Sequence, residues 1–230
     1  MAIICVAGTS PGIGKTSVAE LLLARLPGWH AARVRVADEV VGTDAAFLAD
    51  AGYRLISGES AANDAEAHRL LAAGAHGASV LLAQPRGLAD GLKAMLRQVP
   101  AGANLLVEGN AYLWGCDADV AIMVIGPGPS GKRMARAKIS VRELFRKVNI
   151  WVWNTRTDPK HEGFFEFPHD LAKMGFVETV SNKADYHHVN PYKAGDSGNA
   201  PFAEAVVQAL ERSHWRPESD EFLRRAGFDV

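Results

Sequence analysis

The chain has 230 residues, 48% of them apolar, with 25 Lys and Arg against 26 Asp and Glu and a formal charge of -1. That length fits one α/β domain, and the balanced charge gives no global pull toward nucleic acid or an anionic membrane. Two cysteines, Cys5 and Cys116, make no disulfide framework, so a reducing cytoplasm is expected, and without a signal-like start or an 18-residue apolar run no membrane association is expected.

In chain order, Ala2–Ala7 is a short continuous apolar run that predicts a fully buried parallel strand. Ser17–Leu26 carries Val18, Leu21, Leu22 and Leu26 on one helical face, and Pro27-Gly28 stops it. Further strands are expected at Ala31–Val36, Ala78–Leu82, Leu105–Glu108, Val120–Ile125, Ile150–Trp153 and Phe176–Val180. Helices are expected at about Asp64–Ala73, Gly87–Gln98, Gly131–Val148 and Phe202–Ser213. Such alternation predicts right-handed crossovers and a largely parallel sheet. Residues 155–199 are rich in Pro, Gly, His and aromatics and predict long loops plus one strand; residues 200–230 predict C-terminal helices, the last at Pro217–Val230. Both segments are expected to pack on one domain spanning 1–230.

Between the first strand and first helix lies Gly8-Thr9-Ser10-Pro11-Gly12-Ile13-Gly14-Lys15-Thr16-Ser17. Glycines there let successive N–H groups turn inward toward phosphate oxygens, and the helix start adds partial positive charge. Lys15 is expected to reach the β- and γ-phosphates of ATP or GTP, and the Thr16 hydroxyl to ligate Mg²⁺. The strict phosphate-loop pattern has glycine five residues before Gly14; here Thr9 holds that place and the glycine is Gly8. A second Gly-rich stretch, Gly126–Arg133, fits the strict spacing better, but Pro127 and Pro129 remove two donors and Arg133 replaces the metal-binding hydroxyl. It reads as a turn and helix start, with Lys132 or Arg133 available as a second positive charge.

Mg²⁺ needs oxygen ligands. Glu108 closes an apolar strand, and in a parallel sheet strand C-termini face the ligand crevice, so it is a candidate for metal or water positioning. Asp44, just after the second strand, is a candidate metal ligand or polarising group, or else a helix N-cap. Asp38, Glu39 and Glu66 are weaker candidates. With Lys15, the residues expected to carry chemistry are Asp44 and Glu108. Asn182-Lys183-Ala184-Asp185 matches a guanine-reading pattern, in which Asn pairs with the base edge and Asp accepts from N1 and N2. The basic residues of Lys132–Lys147 read as a solvated face or as a surface for an acidic partner. The eight histidines show no metal-ligand spacing, and no nucleophile elbow or Cys/His couple is present.

Gly8–Thr16 resembles the loop of dethiobiotin synthetase and its relatives. Asn63-Asp64-Ala65-Glu66 through Ala73-Gly74-Ala75, and Leu106-Val107-Glu108-Gly109, resemble segments of the molybdopterin-guanine dinucleotide biosynthesis adaptor, the MobB family. The resemblance covers about residues 1–155. It implies an α/β fold of the three-layer P-loop NTPase kind, with a mostly parallel central sheet of about seven strands flanked by helices. It also implies Mg²⁺ with ATP or GTP, a homodimer formed around nucleotide, and slow hydrolysis in an accessory protein with a protein partner in cofactor assembly. Thr43-Asp44-Ala45 resembles the synthetase's acidic metal site, and Asn154 resembles the asparagine that contacts its purine. Two departures argue against synthetase chemistry: Arg35-Val36-Ala37-Asp38 stands where that enzyme has Lys-Pro, and Asn110-Ala111-Tyr112 follows Glu108-Gly109 instead of Gly-Gly. A ligase acting on a small carboxylate or carbamate and a non-hydrolysing scaffold are the alternatives.

Overall fold

The computed structural model describes residues 1–36, 51–126, 139–157, 162–173 and 185–214. Eight strands form one sheet: β1 (Ile3–Gly8), β2 (His30–Val36), β3 (Tyr53–Ser57), β4 (Gly77–Ala83), β5 (Leu105–Glu108), β6 (Val120–Ile125), β7 (Ile150–Asn154) and β8 (Asp185–Val189). Their order is β3-β4-β2-β5-β1-β6-β7-β8. Every pairing is parallel except β3 with β4.

The strands read as unbroken apolar runs because both faces are covered. Cys5 and Ala7 join Val107, Met123, Trp151 and Trp153 on one face, under α3 (Leu88–Gln98), α4 (Asn110–Gly115) and the turn Glu143–Lys147. Ile4 and Val6 join Leu106, Ile122, Val124 and Val152 on the other, under α1 (Lys15–Leu23), α2 (Ala65–Ala72) and α7 (Asn199–His214). The period-two alternation of β1 therefore feeds two separate cores.

Strands β5 and β6 have the predicted bounds, and β2, β4 and β7 lie within a residue of theirs. Four elements were not anticipated. Edge strand β3 is half-buried and runs antiparallel. Short helix α4 follows directly on Glu108-Gly109. Helix α6 (Glu162–Lys173) and strand β8 occupy the segment expected to be mostly loop, so that expectation is corrected. The helix expected over Gly131–Val148 appears as α5 (Ile139–Arg142) followed by a 3₁₀ segment Glu143–Lys147. Val141, Leu144, Phe145 and Val148 form its buried stripe. Residues 131–138, the strand expected at Phe176–Val180 and the helix expected at Pro217–Val230 lie outside the described residues. Among the described residues no helix is long and apolar enough to cross a membrane.

Candidate functional site

β1 lies at the middle of the sheet, flanked by β5 and β6, and its carboxyl end opens into the Gly-rich turn. Gly12 and Gly14 adopt φ of 71° and 100°, the left-handed region that side chains avoid. At Gly14 a Cβ would stand 2.3 Å from the Asn154 amide nitrogen. The displaced first glycine has its own reason. A Cβ on Gly8 would lie 2.7 Å from Ile13 Cγ2 and 2.8 Å from Lys15 Cγ, so the Lys15 stem needs a bare backbone at residue 8, not residue 9. Thr9 instead donates its amide to the Val124 carbonyl at 3.1 Å, continuing the sheet edge.

The turn is held from two sides. Asn110, at the start of α4, accepts from the Gly8 amide at 2.8 Å and donates to the Gly8 carbonyl at 2.9 Å. Asn154, closing β7, donates to the Ile13 carbonyl at 2.8 Å and accepts from the Arg156 amide at 3.1 Å. Helix α1 begins at Lys15, and its opening amides, Lys15 to Ser17, have no backbone acceptor among the described residues, as helix geometry requires of a first turn. Those donors, the helix dipole and the Lys15 ammonium make the mouth of the turn suited to an anion.

The acidic side of the site is Glu108. The register pairs Val6, Glu108 and Arg33 across β1, β5 and β2, and residues paired this way project to the same face of a sheet. Here that is the face covered by α1. Glu108 is 5% exposed. Its Oε2 accepts from Thr16 Oγ1 at 3.2 Å and lies 3.6 Å from Arg33 Nε. Burial pushes the Glu108 carboxyl above its ordinary value, against the opposing pull of Lys15 and Arg33. The next residue, Gly109, has φ 136°, and a Cβ there would meet the Val34 carbonyl oxygen at 2.2 Å. The Glu-Gly step is thus set by the neighbouring strand. Thr16 and Glu108 are hard oxygen donors side by side at the mouth of the turn, the kind of pair that can hold Mg²⁺ when phosphates and water complete the octahedron.

Arg33, which the sequence reading did not single out, links this pair to α2. Its Nη1 lies 3.1 Å from both carboxylate oxygens of Asp64 and also contacts Glu66. Asp64 caps α2, accepting from the amides of Glu66 and Ala67 at 3.1 and 3.0 Å. Burial opposes its charge, but the helix amides and Arg33 outweigh that and hold its carboxyl below the ordinary value. An arginine at a half-buried position of His30-Ala31-Ala32-Arg33-Val34-Arg35-Val36, on the same face as the buried Ala31, was the available signal.

On the far side of α1, the Ser17 hydroxyl donates to Tyr192 Oη at 3.0 Å and accepts from Arg69 at 3.2 Å. Arg69 is fixed by a two-pronged contact with Glu20 at 2.6 and 2.7 Å. The Arg156 guanidinium lies 4.5 Å over the half-exposed Tyr192 ring. Tyr192 and Arg156 therefore stand beside Asn154 at the rim of the turn, another pair the sequence reading missed.

The structure thus gathers Gly8, Thr9, Pro11, Gly12, Ile13, Gly14, Lys15, Thr16, Ser17, Glu108 and Asn154 around one turn. Asp44, Asn182, Lys132 and Arg133 lie outside the described residues. Asp185 does not join the cluster. It opens β8 beside Ile150, whereas Asn154 pairs with Val189 at the other end of the strand, about 13 Å away at strand rise. Its carboxylate faces Arg212 at 3.5 Å. The guanine-reading pattern expected of Asn182 and Asp185 therefore has only Asp185 among the described residues. Among the described residues no group of three or more His, Cys, Asp or Glu side chains is arranged to hold a metal ion.

No protein-family model matches the sequence, and no curated protein matches it. Solved structures do resemble the fold. HypB from Helicobacter pylori in complex with nickel superposes with a TM-score of 0.52 at 10% identity, covering 92% of this chain and 88% of that one. A plasmid partition protein from Borrelia burgdorferi gives a TM-score of 0.43 at 11% identity, covering 90% and 98%. The MinC:MinD cell division protein complex of Aquifex aeolicus gives 0.38 at 13%, covering 93% and 86%. At such identities the likeness is one of fold, carried by the first of the three: the chain has an α/β fold with a mostly parallel eight-stranded sheet flanked by helices.

Proposed function

We propose that the chain binds ATP or GTP with Mg²⁺ in the turn of residues 8–17, hydrolyses it slowly, and serves as an accessory protein in the assembly of a cofactor or metallocofactor. The observation that carries this reading is the buried Thr16–Glu108 pair, placed beneath a turn that only glycine can trace and beside the opening amides of α1. In this reading the α1 amides and Lys15 hold the phosphates, with Thr16 and Glu108 holding the metal. Bound Mg²⁺ would neutralise charge on the β- and γ-oxygens. Asn154, with Tyr192 and Arg156 next to it, lies where the base would be held. Asp44, which follows β2 in the sequence, is proposed as a further metal ligand.

The accessory role and a partner protein come from the resemblance to the MobB adaptor family, a homodimer closed around nucleotide from the broader class that includes dethiobiotin synthetase, and a cytoplasmic setting from the two cysteines; all belong to the proposal. The absence of the synthetase's Lys-Pro and Gly-Gly segments supports this role over a ligase. Phosphate release from Mg·ATP or Mg·GTP is expected without any added organic substrate. Release that begins only when a small carboxylic acid or carbamate is supplied would replace the accessory reading with the ligase one.

A further inference from the structure

Arg33 occupies an unusual position. It projects from a sheet strand beneath the nucleotide site, and it is the described cation bridging the metal-side carboxylate Glu108 and the two acids that open α2. Its Nε lies 3.6 Å from Glu108 Oε2, while Nη1 contacts Asp64 at 3.1 Å and Glu66. The side chain is 13% exposed, so these contacts are poorly screened. A guanidinium suits this task because its donors form a planar fork that faces several carboxylates at once, which an ammonium does not. The two ends of the fork also serve different elements: Nε looks to β5 and the turn, Nη1 to the N-terminus of α2.

We infer that Arg33 is a positioning residue that passes the occupancy of the metal-nucleotide site to the first turn of α2. The inference rests on the nucleotide-binding reading above. Glu108 Oε2 is shared by Thr16 and Arg33. A cation placed between Thr16 and Glu108 takes up the charge of that oxygen and weakens its hold on Arg33. The guanidinium is then left with Asp64 and Glu66 and binds them more tightly. Asp64 is the cap that accepts from the Glu66 and Ala67 amides, and its carbonyl accepts from the His68 amide at 2.8 Å. Firmer anchoring of Asp64 therefore steadies those three amides. The linkage is reciprocal: whatever steadies the start of α2 favours the loaded site. Through Arg69, α2 also touches Ser17 and Glu20 of α1, so a second contact joins the same two elements on the outer side.

The test is hydrogen exchange on the full chain, alone and with saturating Mg·ATP and Mg·GTP, with binding followed separately by thermal shift. In the wild type, exchange at Glu66, Ala67 and His68 should slow by about fivefold or more on loading. In Arg33→Gln the thermal shift should persist while the slowing at α2 disappears. Arg33→Lys should behave like Arg33→Gln at α2, because an ammonium lacks the fork, although it keeps the charge. The inference is overturned if loading leaves α2 exchange unchanged in the wild type, or if Arg33→Gln shows the same slowing. If no thermal shift occurs with either nucleotide, the nucleotide-binding reading itself fails and takes this inference with it.

Discussion

The Asn154 side chain donates to the Ile13 carbonyl at 2.8 Å, tying the end of β7 to the crown of the Gly-rich turn. That bond makes Asn154 a structural part of the Gly-rich turn. Its other end is engaged too, accepting from the Arg156 amide at 3.1 Å, and the residue is buried.

Replacing Asn154 with Ala removes a buried donor and a buried acceptor together. The expected cost is about 1–3 kcal/mol of stability, since the Ile13 carbonyl loses its side-chain partner. Asn154→Asp should cost at least as much, because a carboxylate cannot donate to that carbonyl. Urea unfolding of the three proteins checks this. A change in Asn154→Ala below about 0.5 kcal/mol would mean that the bond does not hold the turn.

Asn110 holds the opposite end of the turn through both polar groups of Gly8. Asn110→Ala should destabilise by about 1–3 kcal/mol and weaken nucleotide binding, because the loop entry is no longer fixed. Asn110→Asp keeps the acceptor for the Gly8 amide but loses the donor to its carbonyl, so it should retain only part of the effect. Calorimetric titration with Mg·ATP and Mg·GTP, beside thermal melts, separates the two consequences.

Glu108 gives a pH dependence of definite sign in metal-free buffer. Burial raises its carboxyl above the ordinary value near 4.5, so the folded chain holds this proton more tightly than the unfolded one. Its contribution to stability is full below about 4.5 and is lost as pH rises through the higher folded value. Glu108→Gln should lack this decline and become the more stable of the two at neutral pH without metal, while Mg²⁺-dependent nucleotide binding falls about tenfold or more. Parallel unfolding curves in chelator at several pH values provide the measurement.

The sequence made legible what continuous apolar runs encode. Strands buried on both faces, such as Leu105–Glu108 and Val120–Ile125, are unbroken apolar stretches, and a charged residue closing one of them points at the crevice. Elements without that signature escaped. Strand β3 is half-buried at an edge, and β8, Asp185-Tyr186-His187-His188-Val189, has one apolar end and a polar middle. Strand β8 is stabilised instead by pairing with β7 and by packing on α7, where His187 meets Phe202 with ring centroids 5.9 Å apart. At the site, Lys15, Thr16 and Glu108 were legible because their chemistry depends on local spacing or strand position. Arg33, Asn110, Tyr192 and Arg156 were not, because their roles come from contacts between segments distant in the sequence: Arg33, for one, meets Glu108 only through the β2–β5 pairing.

The most direct measurement is binding of Mg·ATP and Mg·GTP to the wild type and to Lys15→Ala, with circular dichroism confirming that the variant stays folded. At least one nucleotide should bind and stabilise the wild type, and the loss in Lys15→Ala should be about a hundredfold or greater, since a charge-assisted phosphate contact is removed. Equal affinity of the two proteins for the same nucleotide would place the binding site elsewhere and contradict the account.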